Sequence, residues 1–291
     1  MRLINTVAEM ASAQKRVNRP LGLVPTMGAL HEGHLSLVRR ARGDNATLAV
    51  SIFVNPTQFG PQEDINNYPR DLERDLALLE ELGADLVFIP QPDDMYPVGF
   101  DTWVNVGRIA SRLEGVSRPG HFRGVATVVA KLFSIIRPDR AYFGQKDAQQ
   151  VQVIRRMNDD LNLGVELIVL PTMREPDGLA MSSRNAYLSP QERQTALVLY
   201  RSLCLAQQMY DQGRRKSSAI KEAMQHLIQG EPMSHLEYVS IAHPDTLDEL
   251  DTIQGPALVS LAVRVGKTRL IDNVVLGSGG LSPTKRTFVA I

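Results

Sequence analysis

The sequence contains few cysteines and few aromatic residues. It has one cysteine, Cys204, and aromatic side chains make up 5% of its 291 residues. A single cysteine excludes an intrachain disulfide bond and is typical of a reducing compartment. Lysine plus arginine and aspartate plus glutamate both number 32, so there is no excess of positive charge to attract nucleic acid. We therefore expect no nucleic-acid partner.

Long apolar runs are also missing. Charged residues interrupt the first 20 positions, so we expect no signal peptide there. Elsewhere, no apolar run reaches the roughly 20 residues that a membrane-spanning helix needs. These absences predict a cytoplasmic protein with no membrane partner.

The signatures of several other sites are absent too. The histidines at positions 121, 226, 235 and 243 do not have the spacing of metal ligands. No G-x-G-x-x-G follows the first predicted strand, and the P-loop-like ending at Gly266 has Leu261 where a P-loop requires glycine. We therefore predict no zinc site, no dinucleotide fingerprint and no P-loop, and the ligands of any other metal stay open.

The order of apolar patterns predicts the fold class. In the first half, short apolar runs alternate with amphipathic stretches, which is typical of an α/β protein with a parallel sheet between helices. Near Asp177 the pattern changes to two long amphipathic stretches and then three β-branched runs, which predicts a smaller α+β domain with an antiparallel sheet. The predicted domains are residues 1–176 and 177–291. The predicted strands are 22–24, 48–54, 86–89, 141–143, 167–170, 235–241, 257–265 and 268–274, and the predicted helices are 71–82, 125–136, 146–157, 190–213 and 217–230.

The most informative segment is PTMGALHEGH, residues 25–34. Its histidines, His31 and His34, lie at a predicted strand-to-helix turn. A helix start offers backbone N–H groups and a positive dipole end to phosphate oxygens, and imidazoles add further donors. Gly28 and Gly33 would let a ligand approach the backbone closely. An ordinary capped turn is the alternative, but the whole pattern after a buried strand favours nucleotide binding.

Two further segments are weaker when taken singly. Residues 144–147 open a predicted helix, so Lys146 and Gln150 would share one helix face and Lys146 would suit a phosphate. Asp147 there could bind ribose hydroxyls or simply cap the helix. Residues 181–184, Met-Ser-Ser-Arg, could form an anion clamp around Arg184 or belong to a hydrophilic linker. The long connection 171–189 is a candidate closing element over the site.

Strand-end residues offer neutral groups as well. Gln58, in the segment FVNPTQFG, could present its amide to a substrate. The segment RPGHFRG, residues 118–124, combines cations with glycines ahead of a buried helix. A plain turn and a plain helix-entry loop are the respective alternatives.

Together these segments resemble the pantothenate synthetase family, the pantoate–β-alanine ligases of the HxGH nucleotidyltransferase superfamily. PTMGALHEGH, FVNPTQFG, RPGHFRG, GQKDAQQ and MSSRNAYLS occur in the family's order. The resemblance implies a Rossmann-like catalytic domain, a lid-like C-terminal domain and a homodimer. It also implies an ATP- and Mg²⁺-dependent condensation of pantoate with β-alanine through a pantoyl adenylate, with release of AMP and pyrophosphate.

The resemblance further implies residue roles. His34 would donate a proton toward the departing pyrophosphate. Gln58 would bind pantoate and β-alanine, and Gln150 would bind pantoate. The implied catalytic residues are His31, His34, Lys146 and Arg184. The implied ATP-binding residues are Met27, Gly28, Ala29, Leu30, His31, Glu32, Gly33, His34, Gly144, Gln145, Lys146, Asp147, Met173, Met181, Ser182, Ser183 and Arg184.

The sequence departs from the family's pattern at two of these positions. Gln145 stands where the family usually has Glu, and Met173 stands where Val is more usual. Two other functions compete with the ligase: a plain nucleotidyltransferase that acts on a phosphorylated acceptor, and a nucleotide sensor without activity. The neutral amides of Gln58 and Gln150 favour a small carboxylate substrate over a phosphorylated one.

Overall fold

The computed structural model describes residues 1–61 and 63–278. The described chain forms two compact units. The first comprises Met1–Arg174 and Met181–Ser183, and the second comprises Glu175–Ala180 and the described residues from Arg184 onward. The chain therefore changes unit several times between Glu175 and Arg184. Each unit has apolar clusters of its own.

In the described residues of the first unit, six strands form a parallel sheet with the order β1-β4-β3-β2-β5-β6. The central strands β2 and β3 are almost wholly buried, because apolar helices cover both faces of the sheet. The strands are β1 (Arg2–Ile4), β2 (Leu21–Thr26), β3 (Thr47–Ile52), β4 (Leu86–Phe88), β5 (Arg140–Gly144) and β6 (Glu166–Leu170). The helices are α1 (Val7–Ala13), α2 (Glu32–Asp44), α3 (Leu72–Glu81), α4 (Pro92–Met95), α5 (Glu114–Ser117), α6 (His121–Ile136) and α7 (Ala148–Asp160).

The strand order creates a switch point between β2 and β5. From β2 the sheet grows toward β3 and β4, whereas β5 and β6 add to its other side. Leu23 of β2 pairs with Ala49 of β3 and with Ala141 of β5. In open parallel sheets, ligands bind beyond the carboxyl ends of the strands at such a point. The turns that carry residues 27–34 and 144–147 both start there.

The second unit is an α+β structure. Two long helices are followed by an antiparallel sheet, and the inward-facing positions of the sheet pack with the helices in one apolar cluster. These elements are α8 (Pro190–Asp211), α9 (Ser217–Gln229), β7 (Ser234–Ala242), β8 (Ala257–Val265) and β9 (Thr268–Leu276). Across the ranges 1–61 and 63–278, no helix is long and apolar enough to cross a membrane.

The structure confirms the predicted fold class and the order of the predicted elements. Strand β1 was missed because it is three residues long and buries only Ile4. Helix α6 begins at His121 rather than at position 125. The helix predicted over 146–157 is wrong at its start, because Gln145–Asp147 form a 3₁₀ turn and α7 begins at Ala148. Lys146 and Gln150 therefore do not share a face of one regular helix.

Candidate active site

The turn after β2 departs at once from extended geometry. Gly28 has a φ of 84° and Ala29 a φ of 50°, so two successive residues are left-handed. Glycine adopts this conformation freely, whereas alanine does so at a cost of about 1 kcal/mol. The hydroxyl of Thr26 accepts the Gly28 N–H at 3.3 Å and donates to the Ser51 carbonyl at 2.8 Å. The turn is thus tied to the ends of both β2 and β3.

A carboxylate from α3 holds the backbone of Ala29 and Leu30. Asp75 accepts the backbone N–H of Ala29 at 2.8 Å and that of Leu30 at 2.7 Å. The side chain lies on the buried side of α3, and Asp75 is only 1% exposed. Burial raises the pKa of the Asp75 carboxyl above its ordinary value, and the two backbone donors oppose that rise.

His31 and His34 cap helix α2 reciprocally. His31 is the N-cap residue, and its Nδ1 accepts the Gly33 N–H at 3.2 Å. In return, Nδ1 of His34 accepts the His31 N–H at 3.4 Å. The two rings lie 4.1 Å apart between centroids. The spacing of three residues therefore gives one histidine the N-cap position and the other the N3 position.

This capping determines the state of both imidazoles. Because each Nδ1 accepts a backbone N–H, the proton of each neutral ring resides on Nε2. Desolvation, aided by the neighbouring His31, lowers the pKa of His34 to about 3. His34 is therefore a neutral ring at physiological pH, with its proton on Nε2.

The turn after β5 brings a cation and a carboxylate to the same place. Lys146 Nζ lies 3.6 Å from Asp147 Oδ1. Both groups act on His34, since Asp147 raises its pKa and Lys146 lowers it. Within the described structure, the Asp147 side chain makes no capping hydrogen bond to α7, although Asp147 occupies the N-cap position. Its carboxylate is 46% exposed and is therefore accessible to a ligand.

A third set of groups positions Gln58 at the end of a 3₁₀ turn, Pro56–Gln58. The buried Asn55 caps this turn and donates from Nδ2 to Gln58 Oε1 at 3.0 Å. Gln58 Nε2 in turn donates to the Met27 sulfur at 3.2 Å. Tyr96 donates its hydroxyl to Asn55 Oδ1 at 2.8 Å. The amide of Gln58 is thus oriented with its N–H groups toward the residue that starts the 27–34 segment.

The segment 118–124 supports Gln58 from the other side. A Cβ at Gly124 would lie 2.4 Å from the Thr57 carbonyl oxygen, so only glycine allows α6 to approach this backbone. His121 Nδ1 donates to the Gln58 carbonyl at 2.9 Å, and its Nε2 accepts from Arg118 at 3.0 Å. Burial and the adjacent guanidinium lower the pKa of His121 to about 4. Arg118 also pairs with both carboxylate oxygens of Glu63 at 2.7 Å.

The connection 173–183 supplies the remaining predicted residues. The Met173 carbonyl accepts the Met181 N–H at 2.9 Å. The Ser183 hydroxyl lies 3.5 Å from the Ala29 carbonyl, at the limit of a hydrogen bond. Ser182 belongs to the first unit with Ser183, whereas Arg184 begins a stretch of the second unit. The place of Arg184 around a phosphate stays a prediction.

The structure brings many of the predicted residues together. Met27, Ala29, His31, His34, Gln58, Lys146, Asp147 and Ser183 are linked by the contacts and electrostatic effects given above. Gly144 and Gln145 adjoin Lys146, and Gln150 is half-buried in the first turn of α7. Glu32 instead pairs with Arg39 along α2.

Three residues that hydrogen-bond to parts of the site were missed from the sequence: Asp75, Asn55 and His121. For Asp75 a signal was present, because an acidic residue stands close to the apolar stripe of the predicted helix, at positions 72, 76 and 79. For Asn55 the signal was an amide directly before a proline at a strand end.

A parallel sheet with a histidine-capped turn beyond its switch point defines the class as a Rossmann-like α/β protein. Comparison with known proteins gives the particular family. The family model described as Pantoate-beta-alanine ligase matches residues 2–275. Pantothenate synthetase from Roseiflexus sp. (strain RS-1) is 60% identical over 276 residues, which are 95% of this chain and 99% of that protein.

Solved structures agree with the sequence comparison. Pantothenate synthetase from Thermus thermophilus has a TM-score of 0.90 and 49% identity, covering 94% of this chain and 98% of that one. The enzyme from Francisella tularensis, complexed with beta-gamma ATP and beta-alanine, has a TM-score of 0.78 and 35% identity, covering 94% and 97%. The chain belongs to the pantoate–β-alanine ligase family, whose reaction joins pantoate and β-alanine to form pantothenate.

Proposed function

We propose that this ligase activates pantoate with ATP, through a pantoyl adenylate, before β-alanine attacks. The observation that carries the proposal is the paired capping of His31 and His34 beside Lys146. Both rings lie at the N-terminus of α2 with their N–H groups on Nε2, the helix dipole there favours an anion, and the Lys146 ammonium group acts electrostatically on His34. The Francisella tularensis relative was solved with beta-gamma ATP and beta-alanine, which supports the same substrates here.

In the first step, a pantoate carboxylate oxygen attacks the α-phosphorus of ATP. The bond from that phosphorus to the bridging oxygen breaks, and pyrophosphate leaves with the electron pair. Negative charge then grows on the bridging and equatorial oxygens, so donors placed in advance stabilise the transition state. Nε2–H of His31, Nε2–H of His34 and the Lys146 ammonium group are those donors.

The pKa of His34 refines its role. A ring with a pKa of about 3 is neutral at pH 7, so it acts first as a hydrogen-bond donor rather than as an imidazolium acid. A bound triphosphate would raise this pKa because negative charge favours the protonated ring. Proton donation to pyrophosphate is therefore tied to ATP binding.

Gln58 and Gln150 would bind pantoate through neutral amides. Neutral donors suit this step, since a cation on the carboxylate would lower its nucleophilicity. Asn55 and His121 fix the side chain and the carbonyl of Gln58, respectively, so its amide is preorganised. In the second step the β-alanine amine, which Gln58 helps to place, attacks the acyl carbon. The bond from that carbon to the phosphate oxygen breaks, AMP leaves with the electron pair, and the amine nitrogen releases a proton to solvent.

The remaining residues implied in ATP binding have subsidiary proposed roles. Backbone groups of residues 27–33 would line the nucleotide, residues 144–147 would hold ribose and phosphate, and Met173 and Met181 would lie near the adenine. Ser182, Ser183 and Arg184 would hold the triphosphate, and closure of the 171–189 connection would keep water from the adenylate.

Mg²⁺ would accompany ATP and neutralise part of its charge. In the described residues, no group of three or more His, Cys, Asp or Glu side chains could hold a metal ion. Mg²⁺ does not need such a group, because it keeps several waters and binds substrate phosphates rather than a protein cage.

Assembly and location are also proposed from the family resemblance. The homodimer is proposed from the family resemblance alone. Sedimentation of the purified chain tests it. A cytoplasmic location accords with the single cysteine and the biosynthetic family.

Stepwise product release tests the proposed reaction. Enzyme at a concentration comparable to that of the substrates is mixed with ATP, Mg²⁺ and pantoate. Release of pyrophosphate and release of AMP are followed separately. We expect about one pyrophosphate per site with pantoate alone and free AMP only after β-alanine is added. Release of ADP and phosphate would contradict the adenylate, and a requirement for a phosphorylated acceptor would favour a plain nucleotidyltransferase.

A further inference from the structure

We propose that Asp75 is a positioning residue for ATP binding: its carboxylate holds the backbone of residues 28–30 so that His31 and His34 face the triphosphate. The inference rests on the proposed use of ATP. It concerns a side chain on α3, outside the segments that carry the family resemblance. Asp75 acts through the turn rather than by touching the nucleotide.

The first observation is the pair of hydrogen bonds from successive backbone N–H groups to one buried carboxylate. Leu30 is 1% exposed and its N–H is buried with it, so water cannot replace Asp75 as the acceptor. An unsatisfied buried N–H is costly, so the turn would rearrange if the acceptor were lost. A charged acceptor also makes stronger bonds than a neutral one.

The second observation is the backbone conformation that these bonds hold. Gly28 and Ala29 are both left-handed, and Ala29 adopts this region against its own preference. Strained residues of this kind persist where the surroundings over-determine them, and Asp75 provides that constraint. Arg74 adds to it by donating to the Leu30 carbonyl at 3.3 Å. Helix α3 thus holds Leu30 by both its N–H and its carbonyl.

The constraint reaches the imidazoles through the chain itself. Leu30 is followed by His31, whose own N–H donates to Nδ1 of His34. The direction of that N–H depends on the peptide plane between Leu30 and His31. If Asp75 no longer held Leu30, this bond would weaken, and the proton of His34 would no longer be restricted to Nε2.

A purely structural role for Asp75 would predict something different. Its loss would then act by destabilising α3, as would the loss of any group that stabilises this helix. Asp71 offers the matched control, because it caps the same helix by accepting the Arg74 N–H at 3.2 Å. Substitution of Asp71 by Ala weakens α3 but leaves both bonds to the turn in place.

The experiment compares D75N and D71A with the unmodified enzyme. Asn is isosteric with Asp but presents an NH₂ group to one of the two backbone donors. We expect D75N to raise the KM for ATP on the order of tenfold, with the KM for β-alanine within about twofold, from the loss of a charge-assisted bond. Without nucleotide, ¹⁵N NMR of the imidazoles should show Nε2–H in the unmodified enzyme and mixed tautomers at His34 in D75N. D71A should change neither the KM for ATP nor the tautomer of His34, although its melting temperature should be lower.

Three results would overturn the inference. They are an ATP KM for D75N within twofold of the unmodified enzyme, the same kinetic pattern in D71A, and failure of D75N to fold at all. The last would show that Asp75 serves the fold first. The NMR comparison needs no ATP, whereas failure of the unmodified enzyme to release pyrophosphate would count against the proposed reaction. The two failures are therefore distinguishable.

Discussion

The two strand-to-helix turns at the switch point are built in opposite ways. The turn between β2 and α2 is held by side chains, because Asp75 binds its backbone and the two histidines cap the helix that follows. The turn between β5 and α7 is a 3₁₀ turn. In the described chain, neither Gly144 nor Asp147 supplies a side-chain cap there.

This difference separates two ways of placing functional groups. In the β2–α2 turn, the same imidazoles stabilise the helix with Nδ1 and, in the proposed function, bind phosphate through Nε2–H. In the β5–α7 turn, Lys146 and Asp147 present their charges without capping the helix. Substitutions in the first turn should therefore affect folding and activity together, whereas substitutions in the second should affect activity alone.

The largest effect should come from a pair of variants that separates the two functions of His34. Asn places an acceptor near Nδ1, so H34N keeps the cap but loses the Nε2–H donor. We expect pyrophosphate release to fall by about 10²–10³-fold with little change in stability. Gln places an amide near Nε2, so H34Q should retain more activity while losing about 1 kcal/mol of unfolding free energy. Rates and urea unfolding, measured on both variants, check this; equal activity in both would contradict it.

Replacing Lys146 with Met removes the ammonium group but no cap. We expect kcat/KM for ATP to fall on the order of a hundredfold, because a preplaced cation stabilises the growing phosphate charge. The melting temperature should stay within about a degree, since Lys146 caps no helix and Met keeps most of its apolar stem. Substitution of the exposed Lys15 by Met is the control and should change neither quantity. A large stability loss in K146M would remove the contrast between the turns.

Asp147 tests the same contrast with a smaller change. D147N should raise the KM for ATP by about tenfold and alter the unfolding free energy by less than about 0.5 kcal/mol. Thr6, which caps α1 by accepting the Glu9 N–H, is the comparison. T6A should lose about 1 kcal/mol of unfolding free energy without changing the KM for ATP. Equal stability losses in D147N and T6A would show that Asp147 is an ordinary cap.

The last comparison concerns acid. The pKa of His34 is about 3 and that of His121 about 4, against 6.5 for an unperturbed ring, so between these values the unfolded chain binds more protons than the folded one. Stability should therefore fall as the pH decreases from about 6.5 to about 4. The decrease in melting temperature should be shallower in H34N, which removes one of these rings. An identical pH dependence in H34N would show that His34 is not a neutral ring in the folded enzyme.

Much of the fold was predictable because its signals are local. The alternation of apolar runs indicated a parallel sheet, and the antiparallel strands from position 234 onward were found within a few residues. The turn at 25–34 was identified from its histidines and glycines. The start of α7 was not, because a 3₁₀ turn and an α-helix have similar sequences over three residues. Strand β1 has too few buried residues to show the regular spacing of apolar positions that marks a strand.

The positioning groups lay beyond sequence reasoning for a physical reason. Asp75 is 45 residues from Leu30, and Gly124 contributes by allowing α6 to approach Thr57, so neither role has a local pattern. The approach of Lys146 to His34 depends on β5 pairing with β2 rather than with β4. That choice is made by the packing of whole helices on the sheet.

The sequence by itself determined the spacing of three residues that the reciprocal histidine cap requires, although a capped turn was there only the alternative to nucleotide binding. It also determined the alternation of strands and helices, since burial of one face of each element imposes a regular spacing of apolar residues along it. Only the tertiary structure decided which distant groups hold that cap and which turn faces it. Hydrogen bonds and desolvation between remote segments exist only after the sheet has formed in its particular strand order.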